Sequence, residues 1–259
     1  MTPRTVLFAA FLMAATLQVT TPAGAANCRK AEFRGIGYSL CETVAGKDDL
    51  RLFLNDGTGR PWGSFTRINK VLAEKGQKLS FAMNAGMFHP DRTPVGLYVE
   101  SGKMLIPLAD GGNYGNFGLK PNGVFCIMPT SFSVTETLRF RRERPACIYA
   151  TQSGPMLVIA GRIHPRFLAS STSRHIRNGV GVSPDGKRAV FVISDIPVTF
   201  HEFASFFRDS LGLRDALYFD GKVSRLHAPS LGRSDSGLFP LGPIIGTVEQ
   251  AREHVGLDR

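Results

Sequence analysis

Apolar residues fall in short runs broken by glycine, proline, asparagine and aspartate, and only two segments repeat them at helical spacing. Residues 50–54 (LRLFL) read as a strand, apolar except for Arg51. Ser64 can cap a helix over 65–75, with Phe65, Ile68, Val71 and Leu72 on one face and Gly76 as its stop. Residues 79–83 read as a buried strand, and 95–100 with 103–107 as a hairpin across Ser101-Gly102. Further strands are expected at 122–128, 131–136 and 146–151. A second hairpin joins 156–159 to 162–164 across Ala160-Gly161. Residues 178–182 and 188–194 flank Pro184-Asp185-Gly186, a strong turn signal. The later helix opens on a capping box, Thr199 with Glu202, in which each side chain satisfies the other's backbone N–H. Phe203, Ala204, Phe207 and Leu211 follow at helical spacing, and Gly212 fits the position past the end. That spacing marks the phenylalanines as core rather than as a sugar-stacking surface. A strand at 216–219 then ends in Asp220-Gly221. Many strands, several hairpins and two helices predict an α+β fold with mixed multi-stranded sheets in a single compact domain.

Composition narrows the setting. The chain is 43% hydrophobic, as ordinary globular proteins are, so it is not a disordered one. Residues 1–25 read as a secretory signal peptide: Arg4 gives the positive start, 6–17 a short apolar run, and Ala23-Gly24-Ala25 a small-residue cleavage site. The run is short for a bilayer span, and an uncleaved anchor is the alternative reading. Asn27 before Cys28 argues against lipidation there. Residues 26–259 are then one domain with no transmembrane segment, expected in the periplasm or secreted. The leader holds one charged side chain, Arg4, so its removal takes the net charge from +10 to +9. Such a balance suits phosphate-bearing glycans or lipid headgroups, or serves solubility alone. No basic run interleaved with aromatics is present, so nucleic acid is not an expected partner.

Four cysteines remain: Cys28, Cys41, Cys126 and Cys147. An even count in an oxidising compartment suggests two disulfides, and three pairings are possible. The sequence-local one, Cys28–Cys41 with Cys126–Cys147, is preferred because each bond closes a short loop. None of the four sits in a Cys-x-x-Cys pair, which speaks against zinc and thiol redox chemistry.

Chemistry-bearing residues gather in four clusters, three of them where strands end. They are Asn84-Ala85-Gly86-Met87-Phe88-His89, Gln152-Ser153-Gly154-Pro155, Arg174-His175-Ile176-Arg177-Asn178-Gly179, and Asp220-Gly221-Lys222-Val223-Ser224. Small residues let a backbone approach closely and amides supply oriented donors and acceptors, which a ligand site needs and a packing segment does not. His89 stands with Asp91 and could act as acid, base or metal ligand. Scattered His and Asp have no metal-ligand spacing, so no cofactor is expected, a divalent metal being the exception to test.

In this order the clusters resemble the phosphodiester glycosidase family. That family's pattern has an Asn-small-Gly-aromatic-Phe block, a Ser-Gly-Pro block, an Arg followed by a Gly-bearing strand, and an Asp-Gly-Gly-x-Ser block. Here these correspond to 84–88, 153–155, Arg177 with Gly179 and Gly181, and Asp220-Gly221. Lys222 replaces the family's second glycine and Met87 its aromatic. The resemblance implies hydrolysis of a sugar-1-phosphodiester, or a related envelope glycan linkage, at the sugar C1–O bond. It implies Asp220 as the carboxylate that activates water or attacks carbon, Arg177 as the phosphate-holding cation, and Asn84 beside them; His89 joins this catalytic set on its own chemistry, not through the resemblance. Gly86, Asn122, Ser153, Gly154, Asn178, Gly221 and Ser224 would line the substrate. Two other readings stand: a non-catalytic glycan-binding or envelope-binding module on the same fold, motivated by Lys222, and a metal-dependent phosphodiesterase cutting at phosphorus.

Overall fold

The computed structural model describes residues 26–110 and 115–251; the expected signal peptide, 1–25, lies outside them. In chain order the first strands are β1 (Asn27–Phe33), β2 (Ile36–Val44), β3 (Asp49–Phe53), β4 (Gln77–Asn84), β5 (Tyr98–Glu100) and β6 (Lys103–Ile106). Next come β7 (Gly123–Met128), β8 (Ser131–Glu136), β9 (Tyr149–Ser153), β10 (Met156–Ile159), β11 (Arg162–Ile163) and β12 (Asn178–Val182). The last are β13 (Arg188–Ser194), β14 (Asp215–Asp220), β15 (Leu226–Ala228), β16 (Arg233–Ser234) and β17 (Ile244–Gln250). Three α-helices lie among them: α1 (Phe65–Ala73), α2 (Thr137–Glu143) and α3 (Phe200–Ser205).

The strands make three sheets: β1-β2-β13-β12-β14-β10-β11, β16-β15-β4-β17-β3, and β6-β5-β9-β7-β8. Their inner faces share one core, to which the first sheet gives Phe191 and Phe219, the second Phe81 and Met83, and the third Phe125 and Tyr98. Each sheet's outer face has its own helix. The α3 face holds Phe203, Phe206 and Phe207 against Tyr38 and Tyr218. The α1 face holds Phe65, Ile68 and Leu72 against Leu79 and Ile244. The α2 face seats Phe140 near Val124 and Ala150. The α+β class holds, and the pairing between named strands is antiparallel rather than mixed.

The caps explain the helices. Ser64 accepts the Arg67 N–H and opens α1. The Thr199–Glu202 box forms in both directions and opens α3, which continues as a π-helical turn, Phe206–Ser210, before Gly212 takes a left-handed φ of 65°. Helix α2 was not legible, since Thr137 and Phe140 are its only buried residues and its cap is a glutamate, Glu136. The β1–β2 hairpin was hidden too: its turn places Arg34 and Gly35 at positive φ, and arginine is an unusual residue there.

Both expected disulfides form, Cys28–Cys41 and Cys126–Cys147. Cys28 lies directly opposite Cys41 in the β1–β2 register. Among the described residues no helix is long and apolar enough to cross a membrane.

Candidate active site

Strands β4 and β12 belong to different sheets, yet their ends meet through two buried asparagines. Asn178 Nδ2 donates to the Asn84 carbonyl at 2.8 Å and lies 3.2 Å from Asn84 Oδ1. Asn84 Nδ2 returns a bond to Asn178 Oδ1 at 3.3 Å. Each oxygen also takes a backbone N–H from a neighbouring loop: Arg225 N–H to Asn84 Oδ1 at 2.9 Å, and Asp220 N–H to Asn178 Oδ1 at 3.1 Å. The amides thus hold the ends of β4, β12 and β14 and the start of β15 together. An amide can do this because it donates and accepts at once, and burying it is favourable only when those bonds are made.

Asp220 is placed by an irregularity in the sheet. The β12–β14 register slips, so that Tyr218 faces Gly179, Asp220 faces Asn178, and Phe219 is left over. Bulges of this kind re-aim a side chain. The partly exposed Asp220 carboxylate accepts the N–H of Gly221 at 2.5 Å and of Lys222 at 2.7 Å through Oδ1. Burial raises its pKa above the usual carboxylate value, while the N–H groups of Lys222, Gly221 and Val223 pull the other way. Among the described residues Asp220 is in no ion pair, and its bonds from Gly221 and Lys222 both run to Oδ1, which leaves Oδ2 the oxygen turned to chemistry.

Arg177 lies behind this centre and is only 1% exposed. Its guanidinium stacks at 3.6 Å on Phe200, donates through Nε to the Val198 carbonyl at 2.9 Å and through Nη2 to the Ser173 carbonyl at 3.2 Å. Nη1 reaches the Tyr218 hydroxyl at 3.5 Å. No carboxylate pairs with it among the described residues, so burial lowers its pKa, countered by Tyr218. The charge is held by carbonyl dipoles and an aromatic face, the latter worth roughly 0.5–2 kcal/mol.

Tyr218 connects the two groups. Its hydroxyl is also reached by the Asn116 side chain, and burial pushes its pKa up. The Gly221 backbone lies directly against it: a Cβ there would stand 2.2 Å from the hydroxyl oxygen and 3.5 Å from His175 Cβ. His175 is therefore on the rim, exposed like Lys222. Sequence reasoning passed over Tyr218, Asn116 and Arg225; His175 lay in the third cluster but was given no role. Tyr218 sits in an apolar strand and Asn116 in a loop with no periodicity, so only the i, i+2 relation of Tyr218 to Asp220 hinted at either.

The remaining candidates divide. Ser224 Oγ lies 2.9 Å from the Asp220 carbonyl and 3.0 Å from that of Ile176, closing the loop after β14. Ser153 is buried and donates to the Phe219 carbonyl at 3.1 Å. Asn122 is buried and donates to the Phe117 carbonyl at 3.1 Å, with Gly154 packed against its Cβ. Gly86 fits because a Cβ would come within 2.5 Å of Thr151 Oγ1 and the Gln152 carbonyl. These four position backbone around the centre. His89 is exposed in its own turn, its N–H on the Thr93 carbonyl, and is not joined to Asp220. Asp195, the acid that follows β13, is tied to Arg233 at 2.8 Å and Ser39 at 2.9 Å and takes no part in the centre. No group of three or more His, Cys, Asp or Glu able to hold a metal occurs among the described residues.

The sequence profile of the phosphodiester glycosidase family matches residues 77–227, from the start of β4 through the Asp220 loop. The chain belongs to that family. The matched span carries both asparagines, Arg177 and Asp220, so the family region and the amide-knit centre coincide. An Escherichia coli (strain K12) relative, the uncharacterized protein YigE, is 32% identical over 178 residues, 69% of each chain. The catalytic domain of zebrafish N-acetylglucosamine-1-phosphodiester alpha-N-acetylglucosaminidase, solved auto-inhibited by its pro-peptide, shares the fold at a TM-score of 0.59 and 15% identity. That match covers 91% of this chain and 86% of that one. A hypothetical protein from Synechocystis superposes at a TM-score of 0.54 with 12% identity, over 86% of this chain and 62% of that one.

Proposed function

We propose that this phosphodiester glycosidase family member is an exported hydrolase that cleaves the sugar C1–O bond of a sugar-1-phosphodiester, with Asp220 as the reacting carboxylate. The observation that carries the reading is Asp220 itself: a carboxylate aimed by a bulge, anchored through one oxygen by its own loop and raised in pKa by burial. Its free oxygen can take a proton from water or attack the sugar carbon. The leaving phosphate monoester has a second pKa near 6, so it departs far more readily than a sugar alkoxide and needs little help from a general acid. What it needs is positive potential. Lys222 stands exposed beside Asp220, and Arg177 supplies a fixed charge from behind Tyr218. Because Arg177 is buried under Phe200, it acts as a positioning residue and not as a direct clamp.

The substrate would be a phosphate-bearing envelope glycan, met in the periplasm or outside the cell. The test is turnover of a panel of sugar-1-phosphodiesters by the mature disulfide-bonded protein, with and without chelator, beside Asp220→Ala. Free sugar and phosphomonoester from the wild type alone is the expected outcome. Equal turnover by Asp220→Ala would overturn the assignment. One observation favours a second reading, a glycan-binding module: Lys222 occupies the turn where the family has a glycine. Saturable binding without turnover on any panel member, surviving the loss of Asp220, would support it.

A further inference from the structure

The loop joining β16 to β17 carries Gly237-Leu238-Phe239-Pro240, and its tip faces water. Leu238 is 95% exposed, more than any other large apolar side chain among the described residues, and its neighbour Phe239 is 65% exposed. The loop is nevertheless held in place. The Phe239 carbonyl accepts from Arg225 Nη1 at 2.9 Å, and Leu241 N–H donates to the Gly63 carbonyl at 2.8 Å. Gly237 lies so close to the Arg225 guanidinium that a Cβ there would be 2.1 Å from Nη2. The loop and Trp62 wall a groove of about 300 Å³, lined also by Arg67, Arg225 and Asp235, the last paired with Arg233. Arg67 is paired with Asp56. Arg225 has no carboxylate within ion-pair distance among the described residues, and its only side-chain bond is to the Phe239 carbonyl.

Two adjacent apolar side chains presented to solvent on a fixed loop are costly unless something covers them. An uncompensated guanidinium directly behind them selects a cover that is apolar in depth and anionic at its surface. A bilayer bearing anionic headgroups has that profile, and basic side chains near it add electrostatic attraction. The net charge, +9 once the Arg4-bearing leader is gone, acts in the same direction. We propose that the 237–240 loop docks this protein onto an anionic phospholipid surface, Leu238 and Phe239 entering the headgroup–acyl boundary while Arg225 faces the phosphates. The same Arg225 gives its backbone N–H to Asn84 Oδ1, so docking would present the Asp220 centre to molecules embedded in that surface. The proposal does not depend on which reaction the centre performs.

The experiment is co-sedimentation of the mature protein with vesicles of phosphatidylglycerol in phosphatidylcholine, against phosphatidylcholine alone, at low and high salt. The expected result is binding to the anionic vesicles that weakens with salt and falls by about tenfold or more in L238S/F239S, with a smaller fall in R225Q. Both side chains changed in the double variant are exposed, and an unchanged urea midpoint would confirm its fold. Equal partition onto both vesicle types, or wild-type binding by the double variant, would overturn the proposal. So would a concentration-dependent dimer in sedimentation velocity that the double variant loses while vesicle binding is absent, since the patch would then belong to a second copy of the chain. No turnover is measured, so failure here is distinct from failure of the glycosidase reading.

Discussion

At the scale of single residues, Asp220 sets function against stability. Burial raises its pKa, so at neutral pH ionising Asp220 costs the folded state more than it costs the unfolded chain. Asparagine keeps the oxygen that accepts the Gly221 and Lys222 N–H groups and removes the charge. Asp220→Asn is therefore expected to lose turnover yet unfold at a urea concentration no lower than the wild type at pH 7. A parallel loss of both would mean that the carboxylate is structural. In the wild type, turnover should fall on the acid side as pH drops through the raised Asp220 pKa, because only the ionised form attacks or accepts a proton. Gly221 gives a second residue-level test. Gly221→Ala forces a Cβ onto the Tyr218 hydroxyl and should cost about 1–3 kcal/mol by urea unfolding. In a Tyr218→Phe background the nearest atom is the ring carbon at 3.4 Å, an ordinary contact. The alanine penalty there should shrink to under about 1 kcal/mol; an undiminished penalty would place the clash elsewhere.

At the scale of elements, two buried histidines join neighbouring segments in their neutral forms. His164 donates through Nε2 to the Lys120 carbonyl at 3.0 Å and accepts the Arg166 N–H through Nδ1 at 3.2 Å, fixing the segment before β7 onto β11. His227, on β15, has Asn69 Nδ2 at 3.2 Å from Nε2 and Ser234 Oγ at 2.8 Å from Nδ1. Burial lowers both pKa values. The unfolded chain then binds protons that the folded one refuses. Stability should be complete above the unfolded value of about 6.5 and fall below it, by up to about 1.4 kcal/mol per pH unit for each histidine. Urea unfolding at pH 8 and pH 5 measures the loss, and His227→Gln should reduce it. Elements with a strong local signal were the legible ones. The Thr199–Glu202 box, the Ser64 cap and the Pro184-Asp185-Gly186 turn each carry their own geometry, and all appear where expected. Strand β17 carries no such signal, although it pairs with both β3 and β4, because its place comes entirely from distant partners. The site divides in the same way. Asn84, Asn178 and Asp220 were visible because amides and acids at strand ends are conspicuous. The stacking of Arg177 under Phe200 was not, since it joins a strand start to a helix start across the α3 face.

At the scale of the whole molecule, the two disulfides each fasten one sheet within itself: Cys28–Cys41 spans 13 residues and Cys126–Cys147 spans 21. Neither crosses between sheets, so each acts by restricting the unfolded chain locally. Replacing both cysteines of either pair by serine should lower the unfolding free energy by about 2–4 kcal/mol, read by urea titration, and leave the other bond formed. What joins the first sheet to the second at the site is the Asn84–Asn178 amide pair, and this has a consequence for the life of the chain. A chain with each sheet complete but not yet docked would hold Asp220, Tyr218 and Arg177 on the first sheet without the Asn84 and Arg225 side that completes the centre. The completed site would then exist only once those two sheets meet. The reverse also follows: on heating, loss of turnover and loss of the native circular dichroism signal should share one midpoint, because the first parting of those two sheets ends both.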